Sequence, residues 1–362
     1  MASVRHIFRW DLDKTYLRTE FDSVRALVRT ARLSAEEREN IPGSAALIRG
    51  MRRPRDARRH EIYFVSGSPE QLRAKIEKKF ELDGIAPEGL VLKPAVSDIF
   101  RARFRAIRNQ IPYKLGALLR GRAGAPIGAR ETLLGDDAES DAFIYSLYAD
   151  LVRGHATREA LREVLARSRA YDDQRRYIEH ELESIVHEPA VVRVIIHLDQ
   201  LTPPGAFAEY APLVVPIYNH LETALVLVLD GTLDAPVVRE VAAELLDRFG
   251  YTVERLTMSG EDILRRRRAH LAAGALERLV AALEAEARAA PAGTALEEAL
   301  AKLAERAEHV RTRPEPRSTL EPPPRRDYVA LFEREEARRQ EARRAKKTRS
   351  GGEPAADPGP TR

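Results

Sequence analysis

The sequence predicts an α/β fold: a three-layer sandwich with a mainly parallel sheet, followed by C-terminal helices and a disordered tail. Three observations predict it. Short apolar, β-prone runs alternate with amphipathic helical stretches through the first half of the chain, the pattern of successive strand–helix–strand units. Several of those runs end in acids, hydroxyls or glycine, as strands do when they leave a sheet for a ligand-bearing loop. Hydrophobic residues make up 44% and charged residues 32% of 362, enough for a sizeable core inside a charged surface, as two domains or one large domain with appendages.

The elements follow in order. Ile7–Asp11 is a short apolar strand ending in acid. Residues 22–52 read as helical, with Pro42-Gly43-Ser44 restarting a second helix. Glu61–Ser66 is an apolar run stopped by Gly67-Ser68-Pro69, and Glu70–Phe80 then has helical spacing. Leu90–Lys93 is a third, short strand, Leu115–Arg120 is helical, and Glu131–Leu134 is a strand ending at Gly135-Asp136-Asp137. Residues 156–188 are polar and helical, an insertion before the strong strand Val191–Leu198. After the breaker Thr202-Pro203-Pro204-Gly205 come a helix, a strand at Ala224–Leu229, a helix at Pro236–Phe249 and a short strand near Tyr251–Leu256. Residues 263–311 read as two helices joined at Ala290-Pro291-Ala292-Gly293. Beyond Thr312 a Pro-rich, then Glu/Arg/Ala-rich, then Gly/Pro-rich stretch is expected to be disordered apart from a transient helix at 328–347. The expected division is a first domain over 1–200, an α/β extension over 201–262, a helical hairpin over 263–312 and a basic tail over 313–362.

Composition excludes several classes. The chain has no cysteine, so disulfides, thiolate zinc sites and cysteine nucleophiles are out, and a reducing compartment fits. No apolar run approaches the roughly 20 residues of a membrane helix, and the N-terminus lacks the apolar core of a signal peptide. The expectation is a soluble cytoplasmic protein. From Arg325 to Arg362 eleven Lys/Arg stand against seven Asp/Glu, so the tail holds the whole net charge of +4. The globular part therefore has no basic bias towards nucleic acid, and glutamates interleave the tail's cations; peripheral contact with a membrane stays open. Among the 60 basic residues 51 are Arg, which beside abundant Ala reads as a GC-rich bacterial genome.

The chemistry lies at strand ends. Asp11 and Asp13, two acids at i and i+2 leaving the first strand, can both face a site above the sheet's carboxyl edge, one as nucleophile towards phosphorus and one handling the leaving-group proton. Ser66 offers a hydroxyl to a phosphate oxygen, with the Gly67 amide free to approach. Gly135-Asp136-Asp137-Ala138-Glu139-Ser140-Asp141 is a cluster of hard oxygen donors suited to Mg²⁺, and Lys114 between them can neutralise phosphate charge. Each motif alone is ordinary turn or cap chemistry; their order at successive strand ends is what points to phosphoryl transfer.

This ordered set resembles the haloacid dehalogenase (HAD) superfamily of phosphatases, through DLDKT at 11–15, VSGSP at 65–69, Lys114 and GDDAESD at 135–141. Within it, YFVSGSPEQL, Lys114 and LLGDDAESDAFIY are most similar to the catalytic domain of actin-patch phosphatidate phosphatases. The resemblance implies a HAD-like Rossmannoid sandwich and an aspartyl-phosphate on Asp11, with Asp13 as acid and then base. Thr15 would support the loop, Ser66 and Gly67 would hold phosphoryl oxygens, and Lys114 would balance charge. Mg²⁺ would sit between the Asp11 carboxylate, the Asp13 carbonyl and Asp136, with Asp141 behind or ligating through water and Asp137 a less defined neighbour. The segments Thr15–Ser66 and Ser68–Lys114 are too short or too helical for a large cap domain. In this superfamily that leaves the site open to a lipid-borne or macromolecular phosphate.

His180, His187, His197, Asp199 and His220 lack the spacing of a second metal site. No Walker A loop or Gly-x-Gly-x-x-Gly fingerprint points to a nucleotide cofactor. The apolar stripes of 271–289 and 295–310 suit internal packing or a dimer seam, so the oligomeric state is open. Two functions remain: a Mg²⁺-dependent phosphomonoester hydrolase, and a non-catalytic binding or scaffold protein built on the same fold. Asp11→Asn would abolish the first and spare the second.

Overall fold

The computed structural model describes residues 5–19, 33–53, 59–93, 110–313 and 325–350. Six strands form one sheet: β1 (Arg5–Trp10), β2 (Arg59–Pro69), β3 (Gly89–Lys93), β4 (Arg130–Asp136), β5 (Val191–His197) and β6 (Val214–Ile217). Their order is β3-β2-β1-β4-β5-β6 and every neighbouring pair is parallel. The chain winds outwards in one direction from β1 and in the other from β4, so the switch point lies between these two central strands, where open α/β sheets bind ligands.

A parallel sheet is buried on both faces, and alternate residues of each strand serve opposite cores. Phe8, Trp10, Phe64, Leu134, Ile195 and Val215 face one cluster. That side carries α1 (Ser44–Met51), α2 (Arg73–Leu82), α7 (His220–Leu229), α8 (Pro236–Phe249), α9 (Val253–Arg267), α10 (Ala275–Ala289) and α11 (Ala295–Thr312). Leu133, Val194, Ile196 and Val214 face the other. That side carries α3 (Gln110–Ala123), α4 (Asp141–Arg153), α5 (Arg158–Arg167) and α6 (Asp172–Glu183), with α5 and α6 in the stretch 156–188 that reads as helical.

Four elements differ from the sequence reading. Residues 33–43 form turns rather than helix, because Leu17 bridges Asn40 and the Ile41 amide donates to the Tyr16 carbonyl at 2.9 Å. The rest of that expected stretch, residues 22–32, lies outside the described residues. Ala224–Leu229 is not a strand but the end of α7. Asn219 caps the helix by accepting from the Leu221 and Glu222 amides, and burial all round the helix gives it a strand-like apolar run. Tyr251–Leu256 likewise opens α9, where the Thr252 side chain accepts from the Arg255 amide. The strand of this region is instead β6, whose Pro216 is tolerable because β6 lies at the edge of the sheet.

In the tail, residues 314–324 and 351–362 lie outside the described residues, while α12 (Tyr328–Ser350) is described. Its first turn is more than a transient helix. Tyr328 is buried and donates to the Ser146 carbonyl at 2.7 Å and Asp150 Oδ2 at 2.6 Å, and Phe332 packs edge-on against Phe143 of α4. Three apolar residues, Tyr328, Leu331 and Phe332, do this inside an otherwise charged stretch.

Candidate active site

Asp11 leaves β1 and Asp136 ends β4, on the two strands that flank the switch point. The Asp11 amide donates to the Leu134 carbonyl at 2.7 Å, which continues the ladder one residue past the strand and fixes where its carboxylate starts. Asp141, at the N-terminus of α4, folds back against Gly135. A Cβ at position 135 would lie 2.3 Å from Asp141 Oδ2, so only glycine admits this close approach. Lys114 reaches in from α3 and is fully buried.

The Lys114 ammonium lies 3.0 Å from Asp11 Oδ1, 2.7 Å from Glu139 Oε2 and 2.5 Å from Asp141 Oδ1. One ligand atom each from Asp11, Asp136, Glu139 and Asp141 lie within 4.8 Å of one another. Among the described residues, four carboxylates against one ammonium leave a buried excess of negative charge. Burial, with the neighbouring carboxylates, therefore drives Asp11 and Asp136 well above the usual carboxylate range, Lys114 opposing. Burial alone would lower Lys114, but Asp11, Asp141 and Glu139 hold it well above its ordinary value. Asp11 Oδ2 and Asp136 Oδ2 are buried with no hydrogen-bond partner. Hard oxygens, uncompensated charge and two unused lone-pair sets fit a divalent cation.

Asp13 sits beside this cluster. Its Oδ2 accepts from the hydroxyls of Ser66 at 3.0 Å and Ser68 at 2.7 Å, and burial, opposed by those hydroxyls, raises its carboxyl. Ser66 thus has its hydroxyl on Asp13, while the Ser68 amide donates to Ser66 Oγ at 2.9 Å. Gly67 lies between them, with the nearest side-chain atom, Gln110 Nε2, 3.8 Å from where its Cβ would be. Thr15 is buried, its hydroxyl without a partner and its carbonyl bonded to His220 Nε2 at 2.9 Å. Asp137 is drawn away: its two oxygens accept from the Gln200 and Thr202 amides at 2.8 and 3.0 Å and hold the loop after β5.

The structure therefore brings Asp11, Lys114, Asp136 and Asp141 into one cluster, with Asp13, Ser66, Gly67 and Thr15 along its loop side. Glu139 joins it though the sequence reading did not single it out, and its place three residues after Asp136 in the same acidic turn was the available signal. Ser68 was read only as part of a turn. The histidines do not gather as a metal site: His187 Nδ1 bonds the Leu151 carbonyl, while His197 and His220 bond the loop after β1. Among the described residues the acidic cluster is the one group able to hold a metal.

Fold and site together define a doubly wound α/β domain with an acidic, lysine-bearing centre at its switch point. Residues 10–162 match the family model described as phosphatidate phosphatase APP1, catalytic domain, a HAD-like family. The match runs from the end of β1 into α5 and includes every residue of the cluster, in agreement with the resemblance carried by the four motifs. Comparison with curated proteins and with solved structures gives no match. Among the described residues no helix is long and apolar enough to cross a membrane.

Proposed function

We propose that the chain is a Mg²⁺-dependent phosphomonoester hydrolase working through an aspartyl-phosphate on Asp11, with a phosphatidate-like lipid phosphate as substrate. The observation that carries this reading is the Lys114-centred cluster, in which the nucleophile candidate, a cation and a hard-oxygen donor set meet at the switch point. Mg²⁺ held by Asp11, Asp136 and the Asp13 carbonyl, with Asp141 and Glu139 beside them, would neutralise the carboxylates and the phosphoryl oxygens.

The chain's own residues supply the rest. Lys114 aims Asp11 and opposes the burial that raises its carboxyl, and the bound cation would complete its ionisation. An Asp11 oxygen attacks phosphorus, the bond to the ester oxygen breaks, and the Asp13 proton goes to that oxygen. Burial raises the Asp13 carboxyl, which favours its carrying this proton, and Ser68 keeps the carboxyl in place while the Ser66 hydroxyl turns to a phosphoryl oxygen beside the Gly67 amide. Asp13, now ionised, takes a proton from water, which attacks phosphorus and releases inorganic phosphate and Asp11. Preorganised charge does most of the work.

The lipid substrate is supported by the family's printed description and by the described parts of 33–53 and 73–93, where α1 and α2 pack in the sheet's layers rather than as a cap. The test is phosphate release from an aryl phosphate and from phosphatidate in vesicles, with and without Mg²⁺, for the native chain and Asp11→Asn. Mg²⁺-dependent release lost in Asp11→Asn is expected. Equal, negligible release from both proteins on every phosphate offered would leave the scaffold reading in its place.

A further inference from the structure

The loop that carries both aspartates is held from outside the matched segment. His197, the last residue of β5, places Nδ1 2.8 Å from the Lys14 carbonyl, and His220, the first of α7, places Nε2 2.9 Å from the Thr15 carbonyl. A carbonyl only accepts, so each of these nitrogens carries a hydrogen. The two rings stack with centroids 5.9 Å apart and planes 20° apart, and Trp10 packs on His220 at 5.4 Å. The second nitrogen of His220 is 3.3 Å from Thr223 Oγ1, whose hydroxyl donates to it.

Loop geometry makes this contact consequential. Lys14 has φ 61, a conformation non-glycine residues rarely adopt, and it is the residue between Asp13 and the clamped peptides. Its ammonium is tied 3.1 Å from Asp199, two residues beyond His197, and its amide donates to the Leu17 carbonyl at 2.7 Å. Burial and the nearby His197 push His220 down to about 3. Burial also lowers His197, against the pull of the Lys14 carbonyl, Asp199, Asp137 and the Tyr218 backbone. Each ring is thus held through a different nitrogen on a different carbonyl.

We propose that His197 and His220 are positioning residues, a stacked pair of imidazoles that fixes the Asp11–Asp13 loop through His197 Nδ1–H on the Lys14 carbonyl and His220 Nε2–H on the Thr15 carbonyl. The kinetic consequence rests on the phosphatase reading above; the two hydrogens do not. Neither residue touches the reacting atoms. Their effect passes through two peptide planes to Asp13, where a displacement of about 1 Å costs on the order of 100-fold in rate.

Amide side chains test the two nitrogens separately, because Asn places its NH₂ where Nδ1 stood and Gln where Nε2 stood. In the full chain, His197→Asn and His220→Gln should keep at least about a third of the Mg²⁺-dependent kcat on an aryl phosphate. His197→Gln and His220→Asn should lose about 30-fold in kcat with KM little changed. If Asn and Gln behave alike at both positions, the clamp is overturned. A second readout needs no turnover: two-bond ¹⁵N–¹H correlation on the native chain near neutral pH, assigned with His197→Asn and His220→Gln. A hydrogen on His197 Nδ1 and a hydrogen on His220 Nε2 are expected; a bare nitrogen at either place overturns the proposal even if hydrolysis is normal. Should the native chain hydrolyse no phosphate offered, the phosphatase reading fails and the spectrum alone decides the clamp.

Discussion

The Lys114 ammonium stands 3.0 Å from Asp11 Oδ1 in a site where neither side chain meets solvent. Two further carboxylates, Asp141 and Glu139, share the same ammonium at 2.5 and 2.7 Å, so among the described residues Lys114 is the cation at the centre of this cluster. Breaking a buried ion cluster from one side leaves the other side uncompensated, typically costing about 3–5 kcal/mol. Lys114→Met should therefore lower both the melting temperature and the rate of phosphate release, the latter by about 100-fold or more. Adding Asp141→Asn removes one of the stranded charges and should recover part of the melting temperature without recovering the rate. A double variant no more stable than Lys114→Met would show that charge is not what Lys114 supplies.

The same excess of carboxylates predicts a response to metal. Whatever binds only the folded chain stabilises it by RT ln(1 + [L]/Kd), about 2.7 kcal/mol at a hundredfold excess over Kd. Thermal unfolding should shift upwards in millimolar Mg²⁺ and return on chelation. Asp136→Asn removes a carboxylate whose Oδ2 has no partner, so the metal-free protein should melt higher and its response to Mg²⁺ should shrink. A melting temperature indifferent to Mg²⁺ in the native chain would count against a metal centre.

How far sequence alone reached follows from which residues advertise their surroundings. Strands β1 to β5 are apolar runs with abrupt ends, and the acids at two of those ends were legible through their order along the chain with Ser66 and Lys114, since Asp-x-Asp or Gly-Asp-Asp alone is ordinary turn chemistry. The run Val214–Ile217 was passed over because it contains Pro216, which only an edge position permits. Ala224–Leu229 misled for the opposite reason: a helix buried on every side has no polar stripe, and Asn219 was the one mark of its start. His197 and His220 were invisible as loop clamps because their partners are backbone carbonyls 183 and 205 residues earlier, and a carbonyl leaves no trace in the residue types.

Glu222 predicts a pH dependence away from the site. It is buried in α7, where its Oε2 accepts from Arg266 at 2.9 Å and the Tyr218 amide at 3.1 Å, and its Oε1 from Ser259 at 2.5 Å. Burial outweighs these partners and raises it to about 7. The folded state then binds a proton that the unfolded state has already released between about pH 4.5 and 7, so this group's stability is present below pH 4.5 and is lost as pH rises through 7. The shift corresponds to about 3 kcal/mol. Denaturant unfolding at pH 5 and pH 8 should show the native chain losing stability over that interval, and Glu222→Gln losing less. An unchanged slope in the variant would mean Glu222 is not the titrating group.

The last prediction concerns the helix that a charge-rich tail composition conceals. Tyr328 is 1% exposed, and its hydroxyl shares Asp150 with Arg326, whose Nη1 lies 3.1 Å from the same carboxylate oxygen. Asp150 belongs to α4, the helix that begins at Asp141, so the start of α12 braces the element that carries a cluster residue. Tyr328→Phe keeps the ring against Phe143 and loses only the hydroxyl's bonds, a cost of about 1–2 kcal/mol. Tyr328→Ala also opens a cavity and should cost about 3–5 kcal/mol. Chemical denaturation of the full chain checks the order: native above Tyr328→Phe above Tyr328→Ala. If both variants unfold at the native denaturant concentration, α12 does not dock on α4 in solution, and α4 has no support from the tail.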